Sequence, residues 1–328
     1  MKARVLNPGE APRAGMVLAR GAGPLQKGAV LSEADVAQLR GKELYVLEME
    51  PGDVHEDAAG RRLAQAVSGE GVSVQPLQAG SWPLSARQRG IVEVDAPRLA
   101  RLNDSDDLAV VTLPSGQIVV EGEVVGRAKI VPFVTREEEV ARAEALGPAL
   151  RVRPFLPLRV TALVQENVDD AALEKFRAAL TEKLRFFGSG PLSVVRAPGD
   201  PAAALRRSIE EGAQLVAMAG SKLMDPLDPV MDALRRAGAR VEKHGVPLHP
   251  GTLLWVASVD GVPVIGAPGC ALFSRPTAFD VLLPRLLTGE RLGRAALAQM
   301  GAGGLLTRET AFRYPPYRPG AARGELEP

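Results

Sequence analysis

Residues 214–290 read QLVAMAGSKLMDPLDPVMDALRRAGARVEKHGVPLHPGTLLWVASVDGVPVIGAPGCALFSRPTAFDVLLPRLLTGE, and the order of signals in this stretch decides the fold. An apolar run of strand length at 215–218 leads through a polar loop into an amphipathic helix that ends before a glycine. Two further apolar runs, 252–258 and 262–267, meet at the turn Asp260-Gly261 and precede a long amphipathic helix. Strand, loop and helix therefore alternate in an order typical of a mostly parallel sheet.

The same alternation begins earlier in the chain. Residues 160–164 and 192–196 are predicted strands, and Asp170 is the predicted N-cap of the helix between them. Asp200-Pro201 offers an N-cap followed by proline at the first helical position. Parallel strands need crossover helices on both sheet faces, so we expect an α/β fold built as a three-layer sandwich with a mostly parallel sheet.

The first 150 residues have a different pattern and predict a smaller mixed α+β domain. Asp53 is positioned to cap a helix over 55–67, and 114–116 is a predicted hairpin turn between two strands. The proline-rich segment 147–159 marks a boundary, and disorder is expected beyond Pro319. The predicted division is 1–150 for a mixed α+β accessory domain, 158–304 for the α/β domain and 305–328 for a C-terminal tail.

Composition excludes several classes of function. Lys and Arg number 40 against 39 Asp and Glu, so no overall field favours nucleic acid or an anionic membrane surface. No apolar run is long enough to span a bilayer, and the N-terminal residues lack a secretory core, so the predicted location is the cytoplasm. One cysteine and three histidines argue against a disulfide, a zinc finger or a histidine-rich metal site.

Three segments carry a resemblance to a known family: HGVPLHPG at 244–251, GAPGC at 266–270 and SRPTAFDVLLPRLLTGE at 274–290. Together with the order of elements, they resemble the molybdopterin-binding domain of molybdenum cofactor biosynthesis proteins. The nearest groups are the molybdopterin molybdotransferases of the gephyrin E-domain type and the stand-alone molybdopterin-binding proteins. The resemblance covers about 158–304, and it implies a homodimer and a ligand that is molybdopterin or adenylylated molybdopterin.

The glycine loops of that family are altered in this chain. The first family loop, Thr-Gly and a polar pair, corresponds to residues 165–167, where Glu166 replaces glycine and only Asn167 matches. In the central loop, Gly220 is kept, Ser221 replaces the second glycine and Leu223 replaces serine. A carboxylate at position 166 would repel a ligand phosphate by about 1 to 4 kcal/mol at about 4 Å.

Further ligand contacts are predicted in three loops. Lys222 either supplies a cation to the central loop or is a solvated lysine, and Ser274 and Arg275 either bind phosphate or serve as a cap and a surface arginine. His249 is either a ligand contact or a structural histidine. The turn Pro268-Gly269 exposes backbone N–H groups, and Cys270 stands where the family has Asn or Cys, more simply as a small buried residue than as a nucleophile.

The resemblance implies catalytic and metal-binding roles for acidic residues of the central loop. Asp228 matches the family aspartate and is the candidate magnesium ligand, with Asp225 as the second catalytic candidate and Asp200 as a weaker one. The resemblance leaves open molybdenum insertion by an active enzyme and cofactor carriage or maturation by a protein that binds without turnover. The alternatives are a catalytically degenerate member that acts as a binding or structural protein, and a nucleotide-processing relative of the competence-damage-inducible family. Molybdoenzymes or other cofactor biosynthesis proteins are the expected partners.

Overall fold

The computed structural model describes residues 1–165, 169–197, 199–219, 228–267, 277–307, 309, 310, 313–315 and 317. The chain divides into two compact units. The first contains Met1–Gln88, Val92–Ser115 and Val119–Val152, and the second contains Arg89–Ile91, Gly116–Ile118 and the chain from Arg153 onward. The three-part division at 150, 158 and 305 stays a prediction.

Short strands and helices alternate up to Pro154. The strands are β1 (Lys2–Leu6), β2 (Val17–Leu18), β3 (Leu44–Glu48), β4 (Asp53–His55), β5 (Val72–Val74), β6 (Trp82–Ala86), β7 (Gly90–Val94), β8 (Leu108–Thr112), β9 (Ile118–Val119), β10 (Val124–Ile130), β11 (Val134–Arg136) and β12 (Leu150–Pro154). The helices are α1 (Glu33–Leu39), α2 (Glu56–Val67), α3 (Ala96–Asn103) and α4 (Glu137–Leu146).

The first unit contains a four-stranded antiparallel sheet in the order β5-β6-β10-β8. Helices α2 and α4 lie against it, and Leu63, Val140 and Leu84 belong to one buried cluster. A separate three-stranded sheet, β1-β3-β2, packs with Val36 and Leu39 of α1. The helix stripes and the strand faces therefore bury apolar side chains with the periods expected for helices and strands.

The second unit is organised around a six-stranded sheet in the order β14-β13-β15-β18-β17-β16. Strands β13, β14, β15 and β18 pair in parallel, whereas β16 and β17 add antiparallel pairs at one edge. The α/β class predicted from sequence is therefore confirmed. The strands are β13 (Val160–Val164), β14 (Leu192–Arg196), β15 (Leu215–Ala219), β16 (Arg240–His244), β17 (Trp255–Val259) and β18 (Val262–Ala267), and the helices are α5 (Asp170–Phe186), α6 (Pro201–Glu210), α7 (Pro229–Arg236), α8 (Ala278–Leu287) and α9 (Arg294–Gln299).

Alternate residues of this sheet enter two different apolar clusters. Ala162 and Ala217 pack with side chains of α5 and α8, while Leu163 and Met218 pack with side chains of α6 and α7. Successive side chains of a strand point to opposite faces. The two pairs of helices therefore pack with two different sets of sheet side chains.

Two local predictions for the first unit are wrong, because the residues concerned bond or pair with other partners. Asp53 does not cap α2, because its carboxylate accepts from Glu50 N at 2.8 Å and lies 3.2 Å from Arg136. His55 takes the cap position and accepts from Asp57 N. The predicted hairpin at 114–116 is also wrong, since β8 pairs with β10 and β9 belongs to another sheet.

Candidate functional site

The carboxyl ends of the four parallel strands define the candidate site. Strands β13, β14 and β15 end at Val164, Arg196 and Ala219, and the helix after each strand begins at this edge. The chain leaves β13 towards β14 but leaves β15 towards β16 on the other side. The edge between β13 and β15 is therefore a topological switch point, where open α/β sheets bind small ligands.

Each of the four helices that begin at this edge is capped by the side chain of its N-cap residue. Asp169 caps α5, Asp200 caps α6, Asp228 caps α7 and Thr277 caps α8. Asp200-Pro201 is the predicted start of α6 and is confirmed, while α5 is capped by Asp169 in place of the predicted Asp170. The acidic caps satisfy backbone donors that an anion would otherwise use, and three negative charges at the edge oppose a phosphate.

The arginines described at this edge are paired with carboxylates. Arg196 lies 2.6 Å from Asp170, and Arg236 lies 3.1 Å from Asp200 and 2.9 Å from Asp232. A backbone hydrogen bond from the first turn of α6, together with the Arg236 charge, lowers the pKa of Asp200. Asp200 therefore acts as an ionised cap.

His249 is exposed, and its backbone is tied to a later segment of the chain. Its N–H donates to the Gly304 carbonyl at 2.8 Å, and its own carbonyl accepts from Leu306 N at 2.8 Å. The next residue, Pro250, accepts from Ala278 N at 2.9 Å. These bonds place the predicted site residue His249 beside the start of α8.

Two glycines of the motifs are required by packing. Gly251 has φ of +113°, and a Cβ there would lie 2.7 Å from Cβ of Ala278 at the start of α8. A Cβ at Gly266 would lie 2.0 Å from the indole of Trp255 on the neighbouring strand. Both positions require glycine, because another element approaches the backbone too closely for a Cβ atom.

A buried charged cluster supports the first turn of α8. Asp280 is fully buried, its Oδ1 accepts from Lys183 of α5 and from the Tyr317 hydroxyl at 2.8 Å, and its Oδ2 accepts from Thr277 N at 2.9 Å. Burial, followed by the charge of Asp280, raises the pKa of Tyr317 well above its usual value. The carboxylate is paired and hydrogen-bonded, as a buried charge requires. The sequence signal for this cluster was a charged residue on an apolar helix face, since Lys183 lies three residues after Leu180 on the apolar face of α5.

Gln165, which directly follows β13, was not among the predicted site residues. Its backbone N–H donates to the Ala219 carbonyl at 3.2 Å. Its side-chain Nε2 is buried and has no hydrogen-bond partner among the described residues. A polar residue after the apolar run VTALV was the signal available in the sequence.

Most predicted site residues lie outside the described part of the chain, and their roles stay predictions. Only Asp228, His249 and the weaker candidate Asp200 are described. Asp228 accepts from Val230 N at 2.9 Å, and no group of three or more His, Cys, Asp and Glu side chains in the described residues is placed to hold a metal ion. The others are Asn167, Gly220, Ser221, Lys222, Asp225, Pro268, Gly269, Cys270, Ser274 and Arg275, together with Glu166, Leu223 and the tail beyond Pro319.

A groove in the first unit contains two internal ion pairs. It has a volume of about 570 Å³ and is lined by Glu93, Asp95, Arg98 and Arg151 among others. Arg151 is bonded to Glu93, and Arg98 lies 3.6 Å from Asp95. These pairs occupy the charges that would select a ligand, so the switch point in the second unit is the better candidate site.

Comparisons with known proteins find similarity among solved structures and none among family models or curated proteins. The crystal structure of the molybdopterin biosynthesis MoeA protein from Pyrococcus horikosii is similar with a TM-score of 0.29 and 15% identity, over 76% of this chain and 81% of that chain. Within the described residues, no helix is both long and apolar enough to cross a membrane.

Proposed function

We propose that this chain binds molybdopterin, or its adenylylated form, as a protein of molybdenum cofactor biosynthesis. The switch point between β13 and β15 carries the proposal, because strand ends and helix starts meet at this edge and open α/β sheets bind small ligands at such points. The segments 244–251 and 266–270, which resemble those of molybdopterin-binding domains, support the choice of ligand. His249 lies beside the start of α8, at this edge.

The proposed architecture of the second unit is a three-layer sandwich of the molybdopterin-binding type. The packing of α5 and α8 against one set of sheet residues, and of α6 and α7 against the alternate set, supports it. The parallel core strands β14-β13-β15-β18 support the mostly parallel sheet.

Between the two roles, we favour a carrier or maturation protein over an enzyme that inserts molybdenum. Asp228 uses an oxygen to cap α7, and the described residues supply no acidic cluster that fits Mg²⁺. In the sequence, Glu166 and Leu223 also weaken the phosphate loops. Catalysis by Asp228 and Asp225 with Mg²⁺ is the alternative, and it requires measurable hydrolysis of the adenylylated ligand.

The proposal also covers the location, the oligomeric state and the partners of the protein. We propose a cytoplasmic homodimer that exchanges its pterin with a molybdoenzyme or another cofactor biosynthesis protein. The support is the family resemblance. Light scattering that gives the monomer mass of 34.7 kDa over a wide concentration range would contradict the dimer.

Isothermal titration calorimetry tests the ligand. Wild-type protein and the variant Glu166→Gly/Leu223→Ser are titrated with molybdopterin and with its adenylylated form. We expect measurable binding by the wild type and tighter binding by the variant, because the variant loses a like charge and regains a hydroxyl. Glu121→Gly, which removes the same charge from an exposed turn of the first unit, serves as the control. Absence of binding in every protein would refute the proposal.

A further inference from the structure

The side-chain amide of Gln165 is the unusual group at the switch point. Nε2 carries two donor hydrogens and is buried without a hydrogen-bond partner in the part of the chain that the structure describes. Buried polar side-chain atoms normally have a partner, and an unpaired donor disfavours the folded state. The unpaired donor therefore indicates that its hydrogen-bond acceptor is supplied by a bound ligand.

The position of Gln165 is fixed by the sheet. It follows the last residue of β13, and its backbone bond to Ala219 continues the pairing of β13 with β15 by one residue. Gln165 therefore lies where the connections from the two strands diverge, and small ligands bind at this point in open α/β sheets.

The charges around this edge favour a neutral ligand group. Asp169, Asp200 and Asp228 cap three of the adjacent helices, and the nearby Arg196 and Arg236 are paired with carboxylates. A phosphate at the described edge would meet these acidic caps, whereas a carbonyl or ring nitrogen would not be repelled. An amide is itself neutral, so it pairs with such an acceptor without adding charge.

We propose that Gln165 donates from Nε2 to an acceptor atom on the neutral nitrogen heterocycle of the bound molecule, and that it thereby selects the ring and not the phosphate end. This inference rests on the proposed function, in which the ring is a pterin. It differs from the expectation drawn from the sequence, which placed phosphate contacts at the helix starts.

The stability of the ligand-free protein gives the first test. Gln165→Met removes the unpaired donor with little change in volume, so we expect the thermal midpoint to rise by about 2 to 4 °C. Gln214→Met is the matched control, because the Gln214 Oε1 accepts from Arg159 N at 3.0 Å and its loss is expected to lower the midpoint. A lower midpoint in Gln165→Met would overturn the inference, since it would show that the amide already has a structural partner.

Ligand titration gives the second test. The probes are 6-hydroxymethylpterin, which carries no phosphate, and inorganic pyrophosphate, which carries no ring. We expect Gln165→Met to bind the pterin about tenfold more weakly than wild type and to respond to pyrophosphate as the wild type does. Equal affinity of the two proteins for the pterin would overturn the inference and leave the proposed function standing.

Guanosine separates the inference from the proposed function. If wild type binds guanosine and neither the pterin nor molybdopterin, and Gln165→Met weakens that binding, the inference holds and the proposed function fails. Absence of binding to both ring compounds would overturn the inference, and the titration with molybdopterin then decides the proposed function.

Discussion

Lys183 and Asp280 show how single residues hold the second unit together. The pair is buried, and Tyr317 and Thr277 occupy the remaining positions around the carboxylate. A buried ion pair is costly to form, but removal of one partner is costlier because the other charge stays buried and unpaired. The start of α8 therefore depends on a lysine of α5.

Lys183→Met is expected to lower the free energy of unfolding of the second unit by about 3 to 5 kcal/mol. Urea unfolding followed by Trp255 fluorescence, in a Trp82→Phe background, measures it, because these are the two tryptophans of the chain. Lys175→Met on the exposed face of the same helix is the control and should change stability by less than about 0.5 kcal/mol. Equal losses in the two variants would show that the ion pair has no special role.

Gly266→Ala is expected to cost about 3 kcal/mol or more, since its Cβ would overlap the buried indole of Trp255. Gly293→Ala is the comparison, because no atom lies within 4 Å of the added Cβ and φ there is ordinary. The same fluorescence measurement applies to both. A Gly266→Ala protein as stable as Gly293→Ala would mean that Trp255 can move freely, and the packing described for β17 and β18 would be wrong.

At the level of elements, local sequence signals predicted a helix correctly where no distant segment competed for the same residues. Asp200-Pro201 begins α6 as predicted, and the apolar stripe of α5 packs on the sheet through Phe176, Leu180 and Leu184. The hairpin at 114–116 failed because strand pairing depends on partners far along the chain. Strand β8 forms five residue pairs with β10, whereas β9 contains only two residues with which β8 could have paired.

The segment with Tyr314 and Tyr317 gives the second unit a dependence on alkaline pH. Burial raises the pKa of Tyr314 to about 12 and that of Tyr317 well above its usual value. Unfolded tyrosine loses its proton near pH 10, so above that pH the folded state binds more protons than the unfolded state, and stability falls as pH rises. The contribution is complete below about pH 10 and, for Tyr314, is lost towards pH 12.

Denaturation with urea between pH 9 and pH 12 measures this loss. Tyr314→Phe/Tyr317→Phe should be less stable at neutral pH, where the bond to Asp280 is missing, and should show a shallower decline above pH 10. Tyr45→Phe changes the third tyrosine and should keep the wild-type slope. The same slope in all three proteins would exclude a folded-state role for the two buried phenols.

At the scale of the whole molecule, the alternation of strands and helices predicted an α/β fold, and the structure supplied the strand order that locates the switch point. Which residues contact a ligand there stays a prediction. The unpaired state of the Gln165 amide depends on the atoms folded around it, so a sequence pattern does not reveal it. The acidic caps were visible as residues, but their combined charge became clear only when four helix starts were placed at one edge.

Mass spectrometry of the pterin released by denaturation tests the central claim most directly. The protein is purified from a molybdenum-replete host without added ligand, beside Gln165→Met prepared in the same way. We predict that the wild type releases molybdopterin or its oxidation product and that Gln165→Met releases less. Release of no pterin from the wild type, while a molybdopterin-binding protein processed in parallel releases its own, would contradict the account.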